Sequence, residues 1–153
     1  MITFNEWLLT EMGHIPVHML GQQAENLYNH ILDALKPEIP GTELEIIYKV
    51  PTDITMRGPQ RIESPSEHTY NVFVKINKNG EWEHGGNAKY YDDAEYPQPL
   101  TVRNKEYCLS AIEGAVASAY YHGGELWVVK NGKKEKWKDS SPKMTFSDLK
   151  NHH

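Results

Sequence analysis

Cysteine is almost missing from this chain. A single thiol, Cys108, in 153 residues excludes an internal disulfide and fits a reducing, cytoplasmic compartment. Long apolar runs are missing too: none approaches the ~20 residues that a membrane-spanning helix needs. The first 35 residues hold no Lys or Arg, which argues against a basic signal or transit segment. Gly 11 and Pro 9 are too few for a low-complexity polymer. Several catalytic signatures are also absent. There is no Gly-rich phosphate loop, no Gly-x-Ser-x-Gly elbow, no His-Glu-x-x-His and no Cys/His array at zinc spacing. The sequence therefore names no cofactor, metal site or catalytic group.

What remains is an ordinary globular composition, 39% hydrophobic and 24% charged. The length suits one α+β domain over residues 1–150, large enough to bury a core without staples. Residues 151–153 read as a tail, with His152-His153 resembling a purification-tag remnant. The net charge of −5 hides an asymmetry. Residues 1–129 carry 9 Lys/Arg against 18 Asp/Glu, and residues 130–153 carry 7 against 3. An acidic body repels phosphate backbones, so general nucleic-acid binding is disfavoured. The lysines at 130, 133, 134, 136 and 138 read as a solvated edge that blocks strand addition.

Periodicity gives the elements. Thr3 with Glu6 forms a capping box for a short helix over 3–12. A second helix is expected over 18–36, with Ala24, Leu27, Tyr28, Ile31 and Leu35 on one face. Residues 43–50 alternate as a strand, with Leu44, Ile46, Tyr48 and Val50 inward. Asn79-Gly80 and Asn131-Gly132 mark two hairpins with two-residue turns. The first pairing puts Asn77 opposite Trp82, so Phe73, Trp82 and His84 share a face away from Val72, Val74 and Ile76. A helix over 104–121 carries Cys108, Ala111, Ile112, Ala115, Val116 and Ala119, and Thr145 starts a short last one. Residues 51–69 and 87–103 show no period and read as mobile loops. The sum is a mainly antiparallel sheet of about five strands with two main helices packed on it and short helices at the ends.

Between 18 and 121 the order helix, three strands, helix is similar to that of a double-stranded RNA-binding domain. Such domains carry Gly and Lys before their second helix. Here that place holds Tyr90-Tyr91-Asp92-Asp93-Ala94-Glu95-Tyr96, so only the topology carries over.

Three functional classes compete. Tyrosines among acids suit a protein-docking surface, because they bury area at low entropy cost while the acids steer a basic partner. The candidate partner-binding residues are Tyr90, Tyr91, Asp92, Asp93, Glu95 and Tyr96, joined by Phe73, Trp82 and His84. Small acidic α+β proteins of this kind resemble stoichiometric inhibitors, such as toxin immunity proteins and phage anti-defence proteins. A second class is a small-ligand protein in which Arg57 and Arg61 hold an anionic nucleotide. A third is a metal-assisted hydrolase built on histidines, with His14 and His18 four residues apart. Gly13 and Pro16 break that helix, so packing is the better reading of the pair. The repeated His-Gly-Gly at 84–86 and 122–124 reads as two turns. Cys108 lies on an apolar stripe and reads as a packing residue. The preferred expectation is a non-catalytic binding protein with a protein partner, no membrane association, and homo-oligomers allowed.

Overall fold

The computed structural model describes residues 16–50, 53–57, 59–64, 68–90, 93–141 and 144. The helices expected over 3–12 and from Thr145 lie outside them, as do His14, Tyr91 and Asp92.

A short 3-10 turn, Val17–Met19, precedes helix α1, Gln22–Leu35. The single helix expected over 18–36 is split because Gly21 takes φ 103, a value helices do not contain. Ala24, Leu27, Ile31 and Leu35 are all buried, as their spacing requires. Strand β1 runs Glu43–Val50 and alternates as expected. Strands β2, Asp53–Arg57, and β3, Gln60–Ser64, pair with each other as a separate ribbon. Strands β4, His68–Ile76, β5, Trp82–Lys89, and β6, Glu95–Val102, follow. Helix α2, Lys105–His122, then leads to β7, Glu125–Lys130, and β8, Lys133–Lys138. The stretches 51–69 and 87–103 thus hold strands where the sequence shows no period.

The main sheet has six strands in the order β6-β5-β4-β1-β7-β8, all neighbours antiparallel. Both helices pack on one side. Leu44, Ile46, Val74, Ile76, Leu126 and Val128 face Leu27, Ile31, Ile112 and Val116 in one core. The alternate residues of β1, β4 and β7 form the open side, where Ile47, Phe73 and Trp127 sit among Glu45, Asn71 and Lys75. Helix α2 starts on Asn104, whose Oδ1 accepts from the Tyr107 N–H at 2.7 Å. It stops at Gly123, at φ 72, a C-terminal cap only glycine adopts without strain. No helix among the described residues is long and apolar enough to cross a membrane.

One register differs from expectation. A two-residue turn at Asn79-Gly80 would need positive φ at both residues, and only Gly80 has it. The Gly80 N–H donates to the Asn77 carbonyl at 3.0 Å, and the Asn77 N–H donates to the Glu81 carbonyl at 2.8 Å. This is a three-residue loop, a type I turn followed by a left-handed glycine. The Asn77 side chain fixes it by accepting from the N–H groups of Asn79 and Glu81, both at 2.9 Å. Ile76 therefore pairs with Trp82, and Val74 with His84. A slip of one residue flips every side chain. Trp82 and His84 join Val74 and Ile76 on the helix side, and Phe73 is left on the open side. The other hairpin turns as expected: Asn131 and Gly132 have φ 49 and 84, and Lys130 faces Lys133.

Candidate functional site

Strand β6 is an edge strand, and that is why it tolerates Pro97 and Pro99. Neither has an N–H to give, so a further strand finds a broken ladder there. The same edge is rich in exposed apolar surface. Among the described residues the exposed large hydrophobics are Ile39, Tyr96, Leu100, Val102 and Tyr107. All but Ile39 lie on β6 or in the first turn of α2. Tyr96 is the most exposed of them, at 60%.

Behind this edge lies an aromatic array. Tyr90 sits in a tight turn, with the Asp93 N–H on its carbonyl at 2.9 Å and Asp93 in the left-handed region at φ 65. Its ring meets Tyr96 at 5.2 Å and His68 at 4.7 Å between centroids. Tyr70 stacks on Tyr48 at 5.0 Å. Edge-to-face rings at these distances are attractive and stiff. Burial pushes the Tyr48 hydroxyl up to about 12, although its hydrogen bond with Ser118 pulls the other way. Tyr70 is raised by burial and then by Tyr90 beside it. These phenols stay neutral at ordinary pH and act as apolar surface with a polar tip.

Further along β6 a cleft of about 310 Å³ opens between the strand and α2, lined by His84, Gln98, Thr101, Arg103 and Tyr107. His84 meets the Tyr107 ring at 5.3 Å, and the Arg103 guanidinium lies over the same ring at 5.0 Å. Burial and then Arg103 lower the His84 pKa, so the imidazole is neutral at pH 7. Asp93 and Glu95 stand exposed at the head of β6. The Lys89–Asp93 pair at 3.8 Å is exposed and contributes little. Burial raises the Cys108 thiol, which suits packing and not attack on a substrate. His18 is exposed on the short turn. Among the described residues, no three or more His, Cys, Asp or Glu converge as metal ligands would.

No family model, curated protein or solved structure matches this chain. The geometry is therefore the whole case.

That geometry groups the sequence candidates unequally. Tyr90, Asp93, Glu95 and Tyr96 fall together at the head of β6. His84 lines the cleft at its far end. Trp82 is only 6% exposed; its indole N–H donates to Glu38 at 3.1 Å, and it closes the core. Phe73 faces the opposite side of the sheet. Arg57 pairs with Gln60, and Arg61 with Met56, so the two arginines are not cross-strand partners. The His-Gly-Gly at 84–86 lies inside β5 at a bulge opposite β6, not at a strand end. There a Cβ on Gly86 would collide with the Asn71 carbonyl, and one on Gly85 with the Gln98 carbonyl. The second His-Gly-Gly caps α2 as expected, with the Gly124 N–H on the Ala119 carbonyl at 2.8 Å.

Leu100, Val102 and Tyr107 were invisible as site residues. Pro97 and Pro99 hide the strand, and a bulge between Gln98 and Thr101 breaks its alternation, so Tyr96 and Gln98 face the helix side while Val102, opposite Glu83, faces the open side.

Proposed function

We propose that this protein is a non-catalytic binding protein that inhibits a macromolecular target stoichiometrically, in the manner of immunity or anti-defence factors. One observation carries the reading: nearly all the large exposed apolar side chains of the described residues line the β6 edge and the start of α2, Tyr96 and Tyr107 on the helix side and Val102 on the open side. Isolated exposed apolar residues are normal, but their concentration along one sheet edge supports an interaction surface that wraps that edge. Glu83, Asp93, Glu95 and Glu106 stand along it with Lys89, Arg103 and Lys105, and the exposed acids at its head, Asp93 and Glu95, favour a protein partner with a basic surface. Such a surface is the nucleic-acid site of many enzymes, and covering it would inhibit them. The lone buried thiol fits action in a reducing compartment.

The test begins with cross-linking in the native host and purification of the captured partner. Binding and inhibition are then measured with pure components. We expect inhibition that saturates at one protein per target. Leu100→Glu should weaken binding at least about tenfold, since a buried anchor contributes over 1 kcal/mol. Asp93→Lys with Glu95→Lys should slow association and flatten its salt dependence. Unchanged kinetics in all of these variants would exclude the β6 flank.

A further inference from the structure

We propose that the cleft between α1 and the β7–β8 hairpin binds a free nucleotide, a planar base carrying at least one phosphate. The cleft measures about 480 Å³, in the range of small-ligand sites. It lies at the sheet edge opposite β6 and shares no lining residue with the cleft there, so it stands or falls independently of the docking surface.

Three groups converge there. Lys130 and Lys133 are direct cross-strand partners beside the turn, and both line the cleft. Like charges directly opposite in a strand pair destabilise it. Among the described residues, neither lysine forms an ion pair. The neighbouring lysines are engaged differently. Lys134 and Lys136 lie over the Trp127 ring at 4.6 and 5.5 Å on the open side. Lys138 donates to the Gly124 carbonyl at 2.6 Å. The two uncompensated ammonium groups therefore point to a dianion, which would remove their repulsion and take charge-assisted hydrogen bonds from both.

The second group is aromatic. His30 and Trp137 meet at 5.0 Å, tilted by 50°, and both line the cleft. A base stacks on such a wall whatever its sequence identity. The third group is Glu135, in the same cleft, an acceptor suited to ribose hydroxyls. A carboxylate beside two lysines would be a handicap for a bare phosphate. It becomes a recognition element for a phosphate attached to a sugar. The acidic body repels a long polyanion, which favours the free nucleotide over a strand end.

Calorimetric titration of the full chain tests this, with AMP, UMP, adenosine, inorganic phosphate and a short single-stranded oligonucleotide as probes. We expect a monophosphate to bind more tightly than either adenosine or phosphate alone. Lys130→Gln with Lys133→Gln should weaken it at least about tenfold. Lys134→Gln with Lys136→Gln, on the other side of the same strand, should leave it unchanged. Circular dichroism confirms that both variants fold. Four results would overturn the proposal: no binding of either monophosphate at millimolar concentration, phosphate binding as tightly as AMP, equal losses in the two double variants, or tighter binding of the oligonucleotide, which would assign the cleft to a strand end.

Discussion

At the scale of single residues, close approach and burial set the constraints. Gly86 is held against the Asn71 backbone. A methyl group there has no flexible neighbour to displace, so Gly86→Ala must pry β5 from β4. The expected loss is about 1–3 kcal/mol, read as a lower urea midpoint at an unchanged slope. Tyr48 carries a pH dependence. Its folded pKa of about 12 lies above the ordinary 10.0, so the folded state holds a proton that the unfolded chain releases. The stabilisation is complete below pH 10 and is lost as pH rises toward 12. One proton gives a slope of about 1.4 kcal/mol per pH unit. Tyr48→Phe should flatten the alkaline fall in urea midpoint and remove the last tyrosinate absorbance to develop. The fall does not vanish, because burial raises Tyr28, Tyr70 and Tyr120 as well.

Among the elements, the two Asn-Gly hairpins look alike in sequence and differ in geometry. Asn131 is left-handed, and its side chain accepts from the Glu43 N–H at 2.8 Å. Asn79 does neither. Asn131→Ala should therefore cost about 1–2 kcal/mol, whereas Asn79→Ala should stay within about 0.5 kcal/mol. Paired thermal melts check the contrast. The same comparison shows what the sequence can and cannot reveal. The strand over 43–50 was legible because it is half-buried in the sheet centre, where alternation is strict. Helix α2 was legible from its apolar stripe and the glycine pair that ends it. The register at Asn79-Gly80 was not, since that dipeptide serves two loop lengths and the Asn77 side chain chooses between them. Strand β6 was hidden by its prolines, which an edge position admits and an interior one forbids. The tyrosine-acid segment was visible by composition alone. The other exposed apolar residues of the edge, Leu100, Val102 and Tyr107, depended on knowing where β6 and α2 meet and where the bulge turns the strand.

For the molecule as a whole, the core is one connected cluster that runs from Val17 to Val128, with Met144 packed against it. Cys108 lies inside it, fully buried. Thiol labelling in the native state should therefore be slow and should accelerate with denaturant in step with loss of circular dichroism. Rapid labelling in buffer would show that α2 opens separately from the sheet. The β6 edge and the cleft beneath α1, with its lysines, lie at opposite edges of one sheet. Under the two proposals, a partner and a nucleotide would bind without sharing a residue.

The central position of β1 has a consequence during synthesis. Its inner neighbour β4 leaves the ribosome soon after it, but its other neighbour must wait: Leu44 meets Lys130, and Tyr48 meets Leu126. Until that late segment emerges, the nascent chain can complete β6-β5-β4-β1 and no more. Closing so long a loop is slow. Meanwhile β1 presents an unpaired edge bearing Ile46 and Tyr48, a template for wrong partners. A chaperone that shields strand edges would therefore matter most between the appearance of α2 and that of β7, and ribosome stalling in that interval would be the condition most apt to produce aggregates.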